Sequence, residues 1–233
     1  MKKLSMLSGL VILLTSFTSQ SSDCDTLIFF AEGTRTTMTS YNDDGKVTGS
    51  TKTLYKKVEK SGGNTSVSAT QENYDKKGKL LSTADFTIKC INGSLLFDMK
   101  SMMPQQQAEG SKDFEMTVEG IDKEIPSDVS PGASLKDAEV KFSTKTKDGT
   151  PMPMMNMSIW ITNRKVEGKE SIATPAGTFE CVKITEDVEM KTLFKIKSKV
   201  ANWYSKTAGI VKTESYKESG KLVGKSELTE ISK

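Results

Sequence analysis

Histidine is absent from all 233 residues. Without an imidazole, Ser–His and Cys–His nucleophile pairs, histidine acid–base chemistry and the usual zinc sites are excluded. No Gly-rich phosphate loop follows any strand pattern either. Carboxylates are available, with Glu180, Glu186, Asp187 and Glu189 close together, but they are interleaved with lysines and read as a solvated strand face. The expectation is a protein that is not an enzyme and has no cofactor.

Charge of one sign is also missing, since 33 basic residues face 30 acidic ones. A dedicated nucleic-acid or anionic-membrane surface requires one-signed patches, so the balance argues against both, and no nucleic acid is expected. Apolar runs stop after Leu14, and the later chain offers no transmembrane anchor. The early run is a leader pattern: Lys2 and Lys3 precede Leu4 to Leu14, and small residues close it at Ser19-Gln20-Ser21. Residues 1–21 are assigned as a signal peptide and 22–233 as one all-β domain, exported to the periplasm or the extracellular space. Cys24 suggests lipidation, but Asp23 stands where a small residue is required, so a soluble exported protein is favoured.

Only three cysteines occur. In an oxidising compartment the expected disulfide is Cys24–Cys90, which ties down the mature N-terminus and stabilises the fold by roughly 4 kcal/mol. Cys181, alternating with Phe179, is expected to be a buried structural thiol.

What the chain has in quantity is short strands with turns between them. Tyr41…Gly45-Lys46-Val47, Tyr74…Gly78-Lys79-Leu80 and Tyr216…Gly220-Lys221-Leu222 repeat one pattern. A Tyr is followed four residues later by Gly, then by Lys and an aliphatic residue, as in a type I hairpin turn with a glycine bulge. Leu27 to Phe30 also reads as a strand, and Lys191 to Lys199 as one strand with a wet face. About ten to twelve strands at hairpin spacing predict an antiparallel meander curved into a half-barrel or barrel, with little helix.

The segment from Pro151 to Trp160 is rich in methionine. Thioethers bind Cu(I), but without histidine the better reading is an adaptable apolar lining formed by Met152, Met154, Met155, Met157 and Trp160. A lipid, a lipidated protein or another amphiphile would then lie on the concave apolar face. The alternative is an envelope assembly or interaction protein with a filled core, binding a protein partner through an edge strand or the loop from Ser101 to Lys112.

The densest pattern is Thr174-Pro175-Ala176-Gly177-Thr178-Phe179-Glu180-Cys181, with Glu170 before it and Trp203-Tyr204 and Gly209-Ile210-Val211-Lys212 after it. It resembles the TapB-like or DUF3108-like family of exported bacterial proteins of unknown function. The resemblance implies an all-β half-barrel similar to periplasmic lipoprotein carriers, with no established activity and no catalytic residue. In structural terms Pro175 starts a turn, Gly177 permits tight geometry, Phe179 re-enters the core, Trp203 caps that core, and Gly209 lets the last hairpin pack closely.

Overall fold

The three repeated hairpins close identically. Gly45, Gly78 and Gly220 have φ of 76°, 79° and 82°, a left-handed conformation that costs a residue bearing a Cβ about 1–2 kcal/mol. Each glycine N–H bonds back three residues, to Asn42, Asp75 and Lys217, and a register shift at each Tyr marks the bulge. The computed structural model describes residues 27–98, 114–126 and 129–233.

The strands are β1 (Arg35–Asn42), β2 (Val47–Ser61), β3 (Asn64–Asp75), β4 (Leu80–Ile91), β5 (Ser94–Phe97), β6 (Phe114–Ile121) and β7 (Lys123–Ile125). They continue as β8 (Ala138–Thr146), β9 (Met157–Thr174), β10 (Gly177–Lys191), β11 (Lys195–Ser205), β12 (Gly209–Lys217) and β13 (Leu222–Ser232). All belong to one antiparallel sheet ordered β6-β8-β9-β10-β11-β12-β13-β1-β2-β3-β4-β5-β7. Its edge strands, β6 and β7, are separated in sequence by Asp122 alone. The sheet has therefore rolled until its edges nearly meet, as an almost closed barrel without α-helix among the described residues.

Inside the barrel, Tyr55, Val67, Ala69 and Ile88 from β2–β4 meet Val166, Val182, Ile184 and Tyr204 from β9–β11. The chain's own non-strand segments fill the space between them. Leu27 and Phe29 enter from a 3-10 turn at Ile28–Phe30, and Val129 and Leu135 from the stretch after β7. Two sequence expectations change here. Leu27 to Phe30 is this turn and not a strand, because its apolar side chains plug the barrel end. Lys191 to Lys199 is split by a tight turn in which Thr192 N–H bonds Phe194 O (3.0 Å), so it spans two strands.

A further cluster gathers around Trp203 with Cys181, Ala201, Val211 and Leu228. The overhanging end of the β9–β10 hairpin folds across it, and the Ala176 N–H reaches Leu228 O at 3.3 Å.

Candidate functional site

A buried polar cluster closes the barrel where β7 lies against β9 and β10. It originates in a bulge: Thr162 pairs with Asp187 and Lys165 with Thr185, so Asn163 and Arg164 together oppose Glu186. Asn163 takes a left-handed φ of 52°, which Asn tolerates. Its side-chain amide donates to Asp187 Oδ2 at 2.7 Å. The inserted residue shifts the inward phase, so Arg164 and Val166 enter the core, although simple alternation from the inward Ile161 before the bulge would turn both outward.

The Arg164 side chain is 0% exposed and Glu186 only 3%. Arg164 Nε donates to Glu186 Oε2 (3.3 Å), Nη1 to Lys136 O (2.6 Å) and Nη2 to Glu124 O (2.9 Å). Glu186 Oε1 also accepts from Lys123 Nζ (2.6 Å) and Asn202 Nδ2 (3.0 Å), and Asn202 Oδ1 accepts from Thr213 (2.8 Å). Burial pushes the Lys123 ammonium pKa down, Glu186 pulls it back up, and the Arg164 charge lowers it further. Every charge is hydrogen-bonded, and the crevice lined by Lys123, Arg164, Glu186 and Tyr204 is too tight for water. This arrangement latches β7 and the segment after it to the sheet, and it has no room for a substrate.

The reading of the β10 carboxylates as a wet face is therefore wrong for Glu186. Its inward parity matches Ile184 and Val188, and only the bulged arginine opposite reveals why a carboxylate belongs there.

The expected methionine lining is not assembled. Pro153–Met155 is an exposed 3-10 turn with Met154 74% exposed, Met155 is also exposed and Met152 half-buried. Met157 joins an apolar cluster with Phe142 and Ile161. Trp160 alternates to the opposite face, donating its indole N–H to Glu139 at 2.6 Å.

The Thr174–Phe179 motif is a turn. Thr174 Oγ1 accepts from Ala176 N–H and donates to Gly177 O, Pro175 and Ala176 occupy the turn itself, and Thr178 is exposed. Phe179 packs in the Trp203 cluster and not in the main core. Trp203 is buried between Lys183 and Lys212, whose ammonium groups lie 5.0 and 4.5 Å from its ring, and its N–H bonds Glu170 at 3.0 Å. Gly209, at φ 73°, allows close packing, but at the β11–β12 turn and against Phe29, whose ring a Cβ would meet at 2.9 Å. Cys181 is a buried free thiol, its pKa raised to about 11 by burial and by Glu180 and Glu170. Cys90 is fully buried at the end of β4. Its expected partner Cys24, the signal segment and the loop from Ser101 to Lys112 lie outside the described residues.

Towards the β1–β2 and β12–β13 turns the concave face becomes polar. Thr51 bonds Asn73 (2.8 Å), Asn73 bonds Ser82 (3.1 Å) and Ser40 bonds Ser226 (2.8 Å). On the opposite face of the sheet, where Lys52 and Glu72 alternate with the inward Thr51 and Asn73, a groove of about 430 Å³ runs across β13, β1, β2 and β3, lined by Arg35, Lys52, Lys56, Glu72 and Glu230. Among the described residues no three Cys, Asp or Glu side chains converge as metal ligands.

A family model described as DUF3108-like matches residues 31–228. Among solved structures, a Bacteroides fragilis protein classed as exported, with a YmcC-like fold, is 24% identical with a TM-score of 0.70. The match covers 87% of this chain and 97% of that one. A Parabacteroides distasonis protein classed as a lipoprotein is 23% identical with a TM-score of 0.68, over 87% and 96% of the two chains. No curated protein matches the chain.

Proposed function

We propose, from the premise that this chain belongs to the DUF3108-like family, that it is an exported, non-enzymatic interaction protein of the cell envelope. In this reading the barrel is a rigid scaffold and its partner is another envelope protein. One observation carries it: the apolar interior, where an amphiphile would lie, is occupied by Leu27, Phe29, Val129 and Leu135 of the chain itself. The polar upper part of the concave face, with its Thr51–Asn73–Ser82 bonds, gives an acyl chain no apolar path. The exposed outer edge of β6, which pairs only with β8 among the described residues, is the surface this reading assigns to a protein partner.

Export rests on the Lys2–Ser21 leader pattern, and the solved neighbours classed as exported protein and lipoprotein are consistent with it. The test is native mass spectrometry of the mature protein taken from its own envelope, followed by mild cross-linking in cells. The expected result is the bare polypeptide mass and a reproducible cross-linked protein. A lipid-sized excess lost on denaturation would instead favour an amphiphile carrier and refute the filled scaffold.

A further inference from the structure

The repeated Tyr-x-x-x-Gly-Lys-aliphatic pattern has a spatial outcome that neither the core nor the latch uses. In an antiparallel meander, alternate turns emerge at the same end of the sheet. The registers put the β1–β2, β3–β4, β10–β11 and β12–β13 turns at one end, since Asn42 opposes Gly224, Gly49 opposes Asp75, and Ser198 opposes Lys217. The β8–β9 connection joins them, because Phe142 opposes Met157 and Lys191 opposes Ser158. Ion pairs link neighbouring turns directly, Lys221 to Asp43 at 3.5 Å and Lys197 to Glu218 at 3.3 Å.

This end has an unusual composition. Of the twelve exposed large apolar side chains among the described residues, nine lie in these five segments. Phe194 is 77% exposed and Leu193 61%, and Ile196, Met154 and Leu81 in these segments are exposed as well. Residues 42–47, 75–81, 145–155, 191–197 and 217–223 also carry eleven lysines and five carboxylates, while the whole chain has a net charge of only +3. The rest of the chain is therefore net negative, and the positive charge is concentrated where the apolar side chains protrude. Apolar tips ringed by lysines are the combination that enters the headgroup region of an anionic bilayer, the apolar groups inserting and the ammonium groups meeting phosphates.

We propose that this crown of hairpin tips docks the protein on an anionic phospholipid surface, with Leu193 and Phe194 as the leading apolar contacts. The proposal goes beyond the scaffold reading and stands or falls separately from it, since it concerns only the outer tips.

The experiment is co-sedimentation of the full mature protein with phosphatidylglycerol–phosphatidylethanolamine vesicles and with pure phosphatidylcholine vesicles, at low and high salt. The expected result is binding to the anionic vesicles that weakens with salt, and little binding to phosphatidylcholine. The Leu193→Ser/Phe194→Ser variant should lose at least about tenfold in partitioning. Lys191→Gln/Lys195→Gln/Lys197→Gln should lose up to about fivefold per lysine, with Lys195 and Lys197 sharing their charge with Glu189 and Glu218. Ile121→Ser, equally exposed but at the other end, should bind as the parent does. Failure of the parent protein to sediment with anionic vesicles, or an equal loss from Ile121→Ser, would overturn the proposal. So would tip and lysine variants that sediment like the parent; a tip variant that misfolds leaves the lysine variant to decide.

Discussion

Replacing Arg164 by Met tests whether the buried cluster holds the barrel shut. The substitution keeps much of the side chain's apolar length but removes the donors to Lys136 O, Glu124 O and Glu186. A hydrogen bond to a charged group contributes about 1.5–3 kcal/mol, and breaking a buried ion pair from one side costs about 3–5 kcal/mol. Glu186 keeps Lys123 and Asn202 as donors, so the lower part of that span applies to the carboxylate, while two buried carbonyls lose their partner. The expected net loss is about 3–5 kcal/mol, or about 6–20 °C in Tm for a domain of this size. Urea unfolding followed by circular dichroism gives the stability. Hydrogen exchange gives its location, with the amides of β7 and of residues 129–137 losing protection first. Arg164→Lys, which retains charge without the planar fork, should lie between the parent and Arg164→Met. A loss below about 1 kcal/mol, or a uniform rise in exchange across the sheet, would refute the latch.

Cys181 should resist alkylation near neutral pH in the folded protein and label fully in denaturant, because its pKa is raised to about 11. The folded state then binds the extra proton between about 8.5 and that value, so this thiol's contribution to stability falls as pH rises through the window. Comparing the parent with Cys181→Ala in alkaline melts measures it. Gly45→Ala should cost about 1–2 kcal/mol, because φ is positive but the site is open, and Gly209→Ala should cost more because Phe29 must also move. Denaturant titrations that rank them the other way would refute the close packing at Gly209. Peptide mapping without reductant should recover Cys24 joined to Cys90, and a free Cys90 would rule that pairing out.

Legibility followed the range of the interaction. The turns at Gly45, Gly78 and Gly220 depend on a few adjacent residues, and the local sequence contains them all. The Thr192–Phe194 turn has no Gly, Pro or Asn, so alternation of lysines with apolar residues hid it inside a single apparent strand. Glu186 was misread because its partner is brought inward by a bulge in another strand, and Asn163 is only a weak hint of that bulge. The methionines were expected on one surface, yet period two sends Met157 and Trp160 to opposite faces. The pairing of β1 with β13 joins Arg35 to Ser232, and no local pattern announces a partner at the far end of the chain.

That pairing sets how the molecule responds to being pulled. Arg35 and Ser232 leave neighbouring antiparallel strands at the same end, so tension applied between them does not load the ladder in parallel. It opens the hydrogen bonds one after another, like a zip, beginning at Arg35–Ser232 and running towards Asn42–Gly224. The barrel is therefore mechanically soft along the line joining Arg35 and Ser232. Opposed loads applied to β9 and β10 at opposite ends of the sheet would instead have to shear their ladder along its whole length, a much stiffer direction.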